Sequence, residues 1–364
     1  MSKPKLALIL GSGFSKEAGL PTTNDIPNMF LNTPKKEKEP QNLPTGVGDE
    51  ISRILKDFWK EVFAYDGKST PSPSIEDHFT LLDLAANSGH HLGKIYSPKK
   101  LRAIRRMSIH RIFSIVTADR QESECIHNLL EELNKKYKNS DLSIVTLNWD
   151  IVIEKHLNKL KIEFYYPFET FDILNATRLP HEGISLTKMH GSTNWVYCDS
   201  CRRIFTGKIT STALKLDAFL EPDDFKALEV DEKIIDSIIN NHKVRRDCKS
   251  CGNIFAGRVA TFSYRKAFSI SQFQTLWERA HAALREADKW LFIGYSMPEA
   301  DFEFKHLLKS AQLARKELKN WSATVILKDD PEAAKRYKSF FGLKDGNIRQ
   351  KGLSDWVDSE LKGF

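Results

Sequence analysis

The sequence predicts an α/β fold built on a doubly wound, Rossmann-like parallel sheet. Three observations predict it. The chain opens on a short continuous apolar run, Leu6-Ala7-Leu8-Ile9-Leu10, that breaks into Gly11-Ser12-Gly13, the pattern of a buried parallel strand turning at the edge of a sheet. Further apolar runs then alternate with stretches of helical periodicity, which indicates parallel strands covered on both faces. Between them lie two departures: a long all-helical stretch near the start, and a region holding two Cys-x-x-Cys pairs. These add an inserted helical module and a small zinc-binding module.

Composition sets the outer limits. A chain of 364 residues with 41% hydrophobic and 28% charged residues can bury a sizeable core, and it matches neither a disordered, a collagenous nor a disulfide-framework composition. Leu6–Leu10 is too short for a signal-peptide core, and no later run approaches the roughly 18 apolar residues of a membrane span, so a cytoplasmic protein that contacts no membrane is expected. The net charge of +7 permits acidic partners. Over this length such an excess can arise from composition alone, and direct nucleic-acid binding is not expected.

After the first strand, Asn32 to Gly48 and Tyr65 to Ser74 are rich in Pro, Gly, Ser and charge, and read as solvated loops too short to link domains. Apolar residues at three- and four-residue spacing predict helices over Glu50 to Ala64, Ile75 to Ser88, Pro98 to Thr117 and Glu122 to Lys138. Strands are predicted at Leu142 to Thr146 and Ile184 to Met189, flanking a helical stretch from Asp150. A helix at Ser271 to Ala287, a strand at Trp290 to Ile293, a helix at Asp301 to Glu317, a strand at Ala323 to Leu327 and a helix at Pro331 to Phe341 complete the alternation. No internal repeat is visible.

Cys198 and Cys201 form one pair, Cys248 and Cys251 the other. Two such knuckles complete a closed, structural four-thiolate zinc site; unligated cysteines or a redox dithiol are the alternatives. The stretch between the pairs, Arg202 to Asp247, is longer than a usual ribbon loop and has room for a short helix over Asp231 to Asn240. Cys125 stands apart in a helical run and reads as core filling.

Four motifs follow predicted strands. Gly11-Ser12-Gly13-Phe14-Ser15 could bring backbone amides and a helix start to a pyrophosphate, or simply make a tight connection. Thr146-Leu147-Asn148-Trp149-Asp150 places an amide and a carboxylate where an open parallel sheet binds ribose hydroxyls, although Asn148 or Asp150 capping the next helix is an equal reading. His190, beside Gly191 and Ser192, is a candidate general base or a structural histidine. In Gly294-Tyr295-Ser296-Met297-Pro298, Gly294 and Ser296 could meet an adenosine, with Asp301 capping the following helix.

In order and spacing these motifs resemble the sirtuin family, and more closely its prokaryotic sirtuin-like, defence-associated branch. Gly11-Ser12-Gly13-Phe14-Ser15 with Gly19-Leu20-Pro21 is similar to the sirtuin Gly-Ala-Gly-x-Ser...Gly-Ile-Pro loop. Thr146 to Asp150 is similar to Thr-Gln-Asn-x-Asp, with Leu147 in the glutamine position. His190-Gly191 matches the catalytic His-Gly step, the knuckle at Cys198 falls where the family's zinc module begins, and Gly294 to Pro298 with Asp301 resembles the Gly-Tyr-Ser-Leu-Pro...Asp signature of the branch. The resemblance implies a single domain over 1–364, with a Rossmann-like core at 1–30, 140–197 and 255–364, a helical module at 45–139 and a zinc module at 198–254.

The resemblance further implies NAD as substrate, its pyrophosphate over Gly11 to Ser15 and its nicotinamide ribose near Asn148, Asp150 and His190, with a structural zinc that takes no part in chemistry. Sirtuin deacylases carry Asp-Phe-Arg after Gly-Ile-Pro and a Phe-Gly-Glu stretch that clamps the acyl-lysine peptide. Here Pro21 is followed by Thr22-Thr23-Asn24-Asp25, and the segment after Cys251 runs Phe255-Ala256-Gly257-Arg258. The expectation is therefore an NAD+ glycohydrolase with water as acceptor, serving antiviral defence by NAD depletion. An NAD-dependent protein-lysine deacylase and a non-catalytic NAD- or ADP-ribose-binding subunit are the alternatives. Homo-oligomers, and in some systems ATPase or nucleic-acid-guided sensor partners, are implied as well. The Asn32 to Gly48 loop follows the cofactor loop closely enough to act as a lid, and the insertion between the cysteine pairs could build an interface.

Overall fold

Leu6–Leu10 forms strand β1, and all five side chains are buried. Alternation divides them: Leu6, Leu8 and Leu10 enter one core layer, while Ala7 and Ile9 enter the layer on the opposite face. A strand buried on both faces needs the continuous apolar run that the sequence shows, and each full-sized aliphatic residue there contributes about 1.5–3 kcal/mol by leaving water. The computed structural model describes residues 5–32, 46–117, 122–198, 200–206, 220–241, 247–253, 257–260, 271–299, 301–315 and 321–364.

The strands in chain order are β1, β2 (Leu142–Thr146), β3 (Phe164–Tyr165), β4 (Thr170–Asp172), β5 (Ile184–Lys188), β6 (Gly191–Cys198), β7 (Arg203–Thr206), β8 (Gly257–Ala260), β9 (Lys289–Ile293), β10 (Ser322–Ile326) and β11 (Ile348–Arg349). Seven make one sheet in the order β11-β10-β9-β1-β2-β5-β3, with every pairing parallel. β1 sits at its centre. Leu10 pairs with Thr146 on one side and Ile293 on the other, so the carboxyl ends of β1, β2 and β9 are level. The remaining strands form a smaller mixed sheet, β4-β7-β6-β8, in which β6 and β7 are an antiparallel hairpin.

The helices are α1 (Ser12–Lys16), α2 (Ile26–Phe30), α3 (Val47–Phe63), α4 (Ile75–Ser88), α5 (Pro98–Val116), α6 (Glu124–Lys136), α7 (Val152–Lys159), α8 (Pro222–Ala227), α9 (Glu232–Asn241), α10 (Ser271–Glu286), α11 (Phe302–Leu313), α12 (Pro331–Phe341) and α13 (Gly352–Ser359). α6, α7 and α13 cover one face of the large sheet, α11 and α12 the other, and α10 contributes to both layers. This is the doubly wound arrangement expected.

Local chemistry explains the boundaries. Ser74, Ser97 and Ser123 each accept a hydrogen bond from the third residue onward, at Asp77, Lys100 and Ile126, and so start α4, α5 and α6. The cap at Ser123 is why α6 begins two residues after the expected Glu122. α3 is bracketed by Gly46 and Ala64, both at positive φ, and it begins three residues earlier than its periodicity predicted. Asp301 occupies the N-cap position of α11, but its side chain makes no cap bond; its Oδ2 instead accepts from the Tyr295 hydroxyl at 3.2 Å.

A separate apolar core holds α2 to α5 together, and it also takes in Leu220, Phe225, Val230, Ile235 and Ile238 from around α8 and α9. At its centre His78 is fully buried, accepting from the Trp59 indole at 2.9 Å and lying 2.8 Å from the Ser108 hydroxyl. Most of the Asn32 to Gly48 loop and much of Arg202 to Asp247 lie outside the described residues. Among the described residues no helix is long and apolar enough to cross a membrane.

Candidate active site at the carboxyl edge of the sheet

Five neighbouring strands end on one edge, and the residues that follow them meet around a cavity of about 740 Å³. Gly11, Ser12, Gly13 and Ser15 follow β1, Asn148, Trp149 and Asp150 follow β2, His190 follows β5, Gly294 and Ser296 follow β9, and Leu327, Lys328 and Asp330 follow β10. Ligands of open parallel sheets bind at this edge, where the strand order reverses. Of the expected cofactor-site residues, Phe14 alone is not part of the lining; it is buried beneath the loop, in the core.

The glycines have a steric cause that the sequence did not disclose. Gly13 N donates to the Gly294 carbonyl at 2.9 Å, and Gly11 N donates to the Ile293 carbonyl at 3.0 Å. A Cβ on Gly11 would lie 2.5 Å from the Gly294 oxygen and Tyr295 Cα, and one on Gly13 would lie 2.7 Å from Gly294 Cα. Gly294 itself has a φ of +62°, and a side chain there would strike the backbone of Gly13 and Phe14. The two loops therefore touch backbone to backbone. From behind, α12 fixes the second loop: Arg336 donates to the Ser296 carbonyl at 2.9 and 3.0 Å, and the Tyr337 hydroxyl donates to the Tyr295 carbonyl at 2.9 Å.

Asn148 is tied across the sheet. Its Nδ2 donates to the Gly11 carbonyl at 2.9 Å and to Ser15 Oγ at 2.8 Å. A carbonyl only accepts, so the amide orientation is set by Gly11, and Oδ1, which accepts no bond among the described residues, is left to receive a hydroxyl. Asp150 behaves differently. Its Oδ1 accepts from Val152 N at 3.0 Å, so it secures the start of α7 while also lining the cavity. His190 is mostly buried and lies next to the Trp149 ring, with centroids 6.5 Å apart. Main-chain bonds lock these segments together: Leu147 N donates to Leu10 O, Met189 N to Thr146 O, and Thr193 N to Trp149 O, at 2.8–3.0 Å.

The helical module also reaches the cavity, through Ile75, Glu76 and Val116. The sequence carried no signal for these three.

At the far end of β6 the four paired cysteines converge, with all four Sγ atoms within 4.8 Å of one another. Cys198 and Cys251 are 3.5 Å apart, and Cys201 and Cys248 are 3.8 Å apart. Four thiolates about 2.3 Å from one tetrahedral ion lie about 3.8 Å from each other, so the set fits zinc. With four protein ligands no coordination position is open. A small core of Phe171, Val196 and Phe205 supports the cluster.

The family model for the SIR2-like domain matches residues 142–345, more than half of the chain. The chain belongs to the SIR2-like family. The matched segment contains Asn148, Asp150, His190, all four paired cysteines, Gly294 and Ser296, whereas the Gly11–Ser15 loop and the helical stretch at 45–139 precede it. Among solved structures the chain is similar to a Sir2 in complex with the inhibitor EX-527, 2'-O-acetyl-ADP-ribose and a deacetylated p53 peptide, at 11% identity over 99% of this chain and 93% of that one, with a TM-score of 0.41. It is similar as well to a Sir2 bound to an acetylated peptide, at 11% identity over 99% and 92% with a TM-score of 0.41. A Sir2 with p53 peptide and NAD+ matches at 12% identity over 99% and 92% with a TM-score of 0.38. No curated protein matches the chain.

Within this SIR2-like site, sequence reasoning overlooked Lys328 and Asp330 after β10, and Gly352 and Leu353 at the start of α13. The first two follow an apolar run as Asn148 and Gly294 do, and the same signal would have found them. It also overlooked a buried ion pair, Lys188 with Glu154, both fully enclosed.

Proposed function

We propose that the chain is an NAD+ glycohydrolase that cleaves the nicotinamide–ribose bond to give nicotinamide and ADP-ribose, with water as acceptor. The observation that carries the reading is the placement of Asn148 and His190 in one cavity with the two interlocked glycine loops. The cavity is within the ~300–1,000 Å³ range of ligand and cofactor clefts. In this reading the pyrophosphate lies over Gly11 to Ser15, the adenosine lies beside Gly294 and Ser296, and Asp150 borders the nicotinamide ribose.

Breaking the glycosidic bond builds oxocarbenium character on the ribose, so the site must hold the sugar and a nucleophile in line as positive charge develops. Asn148, with both amide hydrogens committed to Gly11 and Ser15, presents Oδ1 as an acceptor that orients the ribose or the attacking water. His190 takes the proton released by that water, directly or through a ribose hydroxyl. Ile75, Glu76 and Val116 wall the cavity from the helical side, which favours a small acceptor over an acyl-lysine peptide.

The reading treats 1–364 as one domain: a Rossmann-like core at 1–30, 140–197 and 255–364, a helical insertion at 45–139 and a zinc module at 198–254. It places the protein in antiviral defence by NAD depletion. A hydrolase of this kind must be held inactive in its host, which calls for a regulated homo-oligomer or a sensor or ATPase partner. Product analysis of purified, assembled protein with NAD and no peptide tests the reading. Nicotinamide and ADP-ribose in equal amounts support it; turnover only with acetylated peptide makes the chain a deacylase, and tight NAD binding without product makes it a binding subunit.

A further inference from the structure

Lys188 ends β5 two residues before His190, and Glu154 lies on the first turns of α7. Both side chains are completely buried, and Lys188 Nζ donates to Glu154 Oε1 at 2.7 Å and also to the carbonyl oxygen of Asp150. The same carboxylate oxygen accepts from the Tyr166 hydroxyl at 3.1 Å. The Tyr166 oxygen accepts from Asn194 Nδ2 at 3.1 Å, and Asn194 Oδ1 accepts from the Ser192 hydroxyl at 2.6 Å. The chain of bonds thus runs from the segment after β2 to the segment that follows His190.

Stability alone does not account for the pair. Removing two charges from water costs about as much as their attraction returns, and well-packed apolar residues are often as stabilising. Glu154 Oε2 has no hydrogen-bond partner among the described residues, and burial, opposed by Lys188, raises the carboxyl above its ordinary range. What the pair supplies is geometry. The ammonium reaches a main-chain carbonyl two residues from Asn148 while its own backbone leads into His190.

We propose that Lys188 and Glu154 are positioning residues that hold the Asn148–Asp150 segment and the Met189–Gly191 turn at a fixed separation, so that the amide and the imidazole act on the same ribose. This rests on the glycohydrolase reading for its chemistry but not for its geometry. The ammonium clamps the Asp150 carbonyl, the carboxylate fixes the ammonium, and Tyr166 and Asn194 fix the carboxylate from the β6 side.

The test is the double variant Lys188→Met/Glu154→Leu, which replaces the pair by apolar groups and leaves no orphaned charge. Melting temperature, NAD kinetics and hydrogen exchange are measured on it and on the unaltered protein. The expected result is a fold that melts near the unaltered one, kcat lowered ~10- to 100-fold with KM little changed, as misplacement of reacting groups by about 1 Å produces, and faster amide exchange confined to 148–151 and 189–193. Unchanged kcat together with unchanged exchange in both segments overturns the proposal. If the unaltered protein does not cleave NAD, the glycohydrolase reading has failed and exchange alone decides: acceleration confined to the two segments upholds the clamp, and its absence removes it. If the double variant does not fold, Glu154→Gln, which keeps the shape, carries the same readouts, and unaltered exchange in that variant is equally fatal.

Discussion

Asn148 Nδ2 donates to Ser15 Oγ at 2.8 Å, joining the loop after β2 to the loop after β1. The amide is thereby held by two fixed acceptors, Ser15 and the Gly11 carbonyl. Asn148→Ala is expected to lower NAD cleavage ~10²- to 10³-fold, the usual cost of removing one preorganised group from a reacting centre. Asn148→Asp has the same shape but no amide hydrogens, and should fail as completely. Ser15→Ala, which leaves the Gly11 bond in place, should cost about 3- to 10-fold. Nicotinamide release at saturating NAD, with melting temperature as the control for folding, checks all three.

Contact between the two glycine loops makes a separate prediction about stability. Gly11→Ala would place a Cβ 2.5 Å from backbone atoms of Gly294 and Tyr295, and is expected to destabilise by about 1–3 kcal/mol, the range for overpacking. Gly346→Ala meets nothing within 4 Å and should stay within about ±0.5 kcal/mol. Urea unfolding of the two variants beside the parent separates steric need from a general effect of replacing glycine.

Four converging thiolates predict one zinc per chain. Metal analysis of purified protein should give that stoichiometry, and Cys248→Ser should lose the ion and melt several degrees lower. A closed four-cysteine site has no position for substrate. The folded fraction of that variant should therefore keep its KM for NAD, and a raised KM would place the metal nearer the chemistry than the distribution of residues implies.

Acid should weaken the helical module through His78. Burial pushes its pKa down from 6.5 to about 3, so between those values the unfolded chain binds a proton that the folded chain does not. Stability is then complete above about pH 6.5 and falls as the pH drops toward 3. The loss is about 1.4 kcal/mol per pH unit, or about 2 kcal/mol at pH 5. Unfolding free energies at pH 7.5 and 5 measure the slope, and His78→Gln should flatten it by this one-proton contribution; an identical slope in the variant would assign the acid sensitivity elsewhere.

How much of this was legible in the sequence depended on whether a residue's partner was near it in the chain. β2 and α12 fall where their patterns placed them, because apolar runs and a proline start are local signals. β6 was missed: no strand was predicted over Ser192, Thr193 and Asn194, whose polarity masks the strand, yet they are buried, and Asn194 is satisfied by Tyr166 and Thr206, which lie well away in sequence. Gly11 and Gly13 read as either admitting a phosphate or making a tight connection; what the sequence did not disclose is that they make room for the backbone of Gly294 and Tyr295, a partner far along the chain. α13 was overlooked although Leu353, Trp356, Val357 and Leu361 recur at helical spacing and are buried. Asp150, legible as either ligand or cap, both secures α7 and faces the cavity.

The central claim is that Asn148 and His190 serve hydrolysis of NAD. The most direct measurement follows nicotinamide and ADP-ribose from NAD, without peptide, for the assembled protein and for Asn148→Ala and His190→Ala. The account predicts equimolar products from the unaltered protein, with losses of ~10²-fold or more in each variant. Intact NAD in all three, or cleavage that appears only with acetylated peptide, would contradict it.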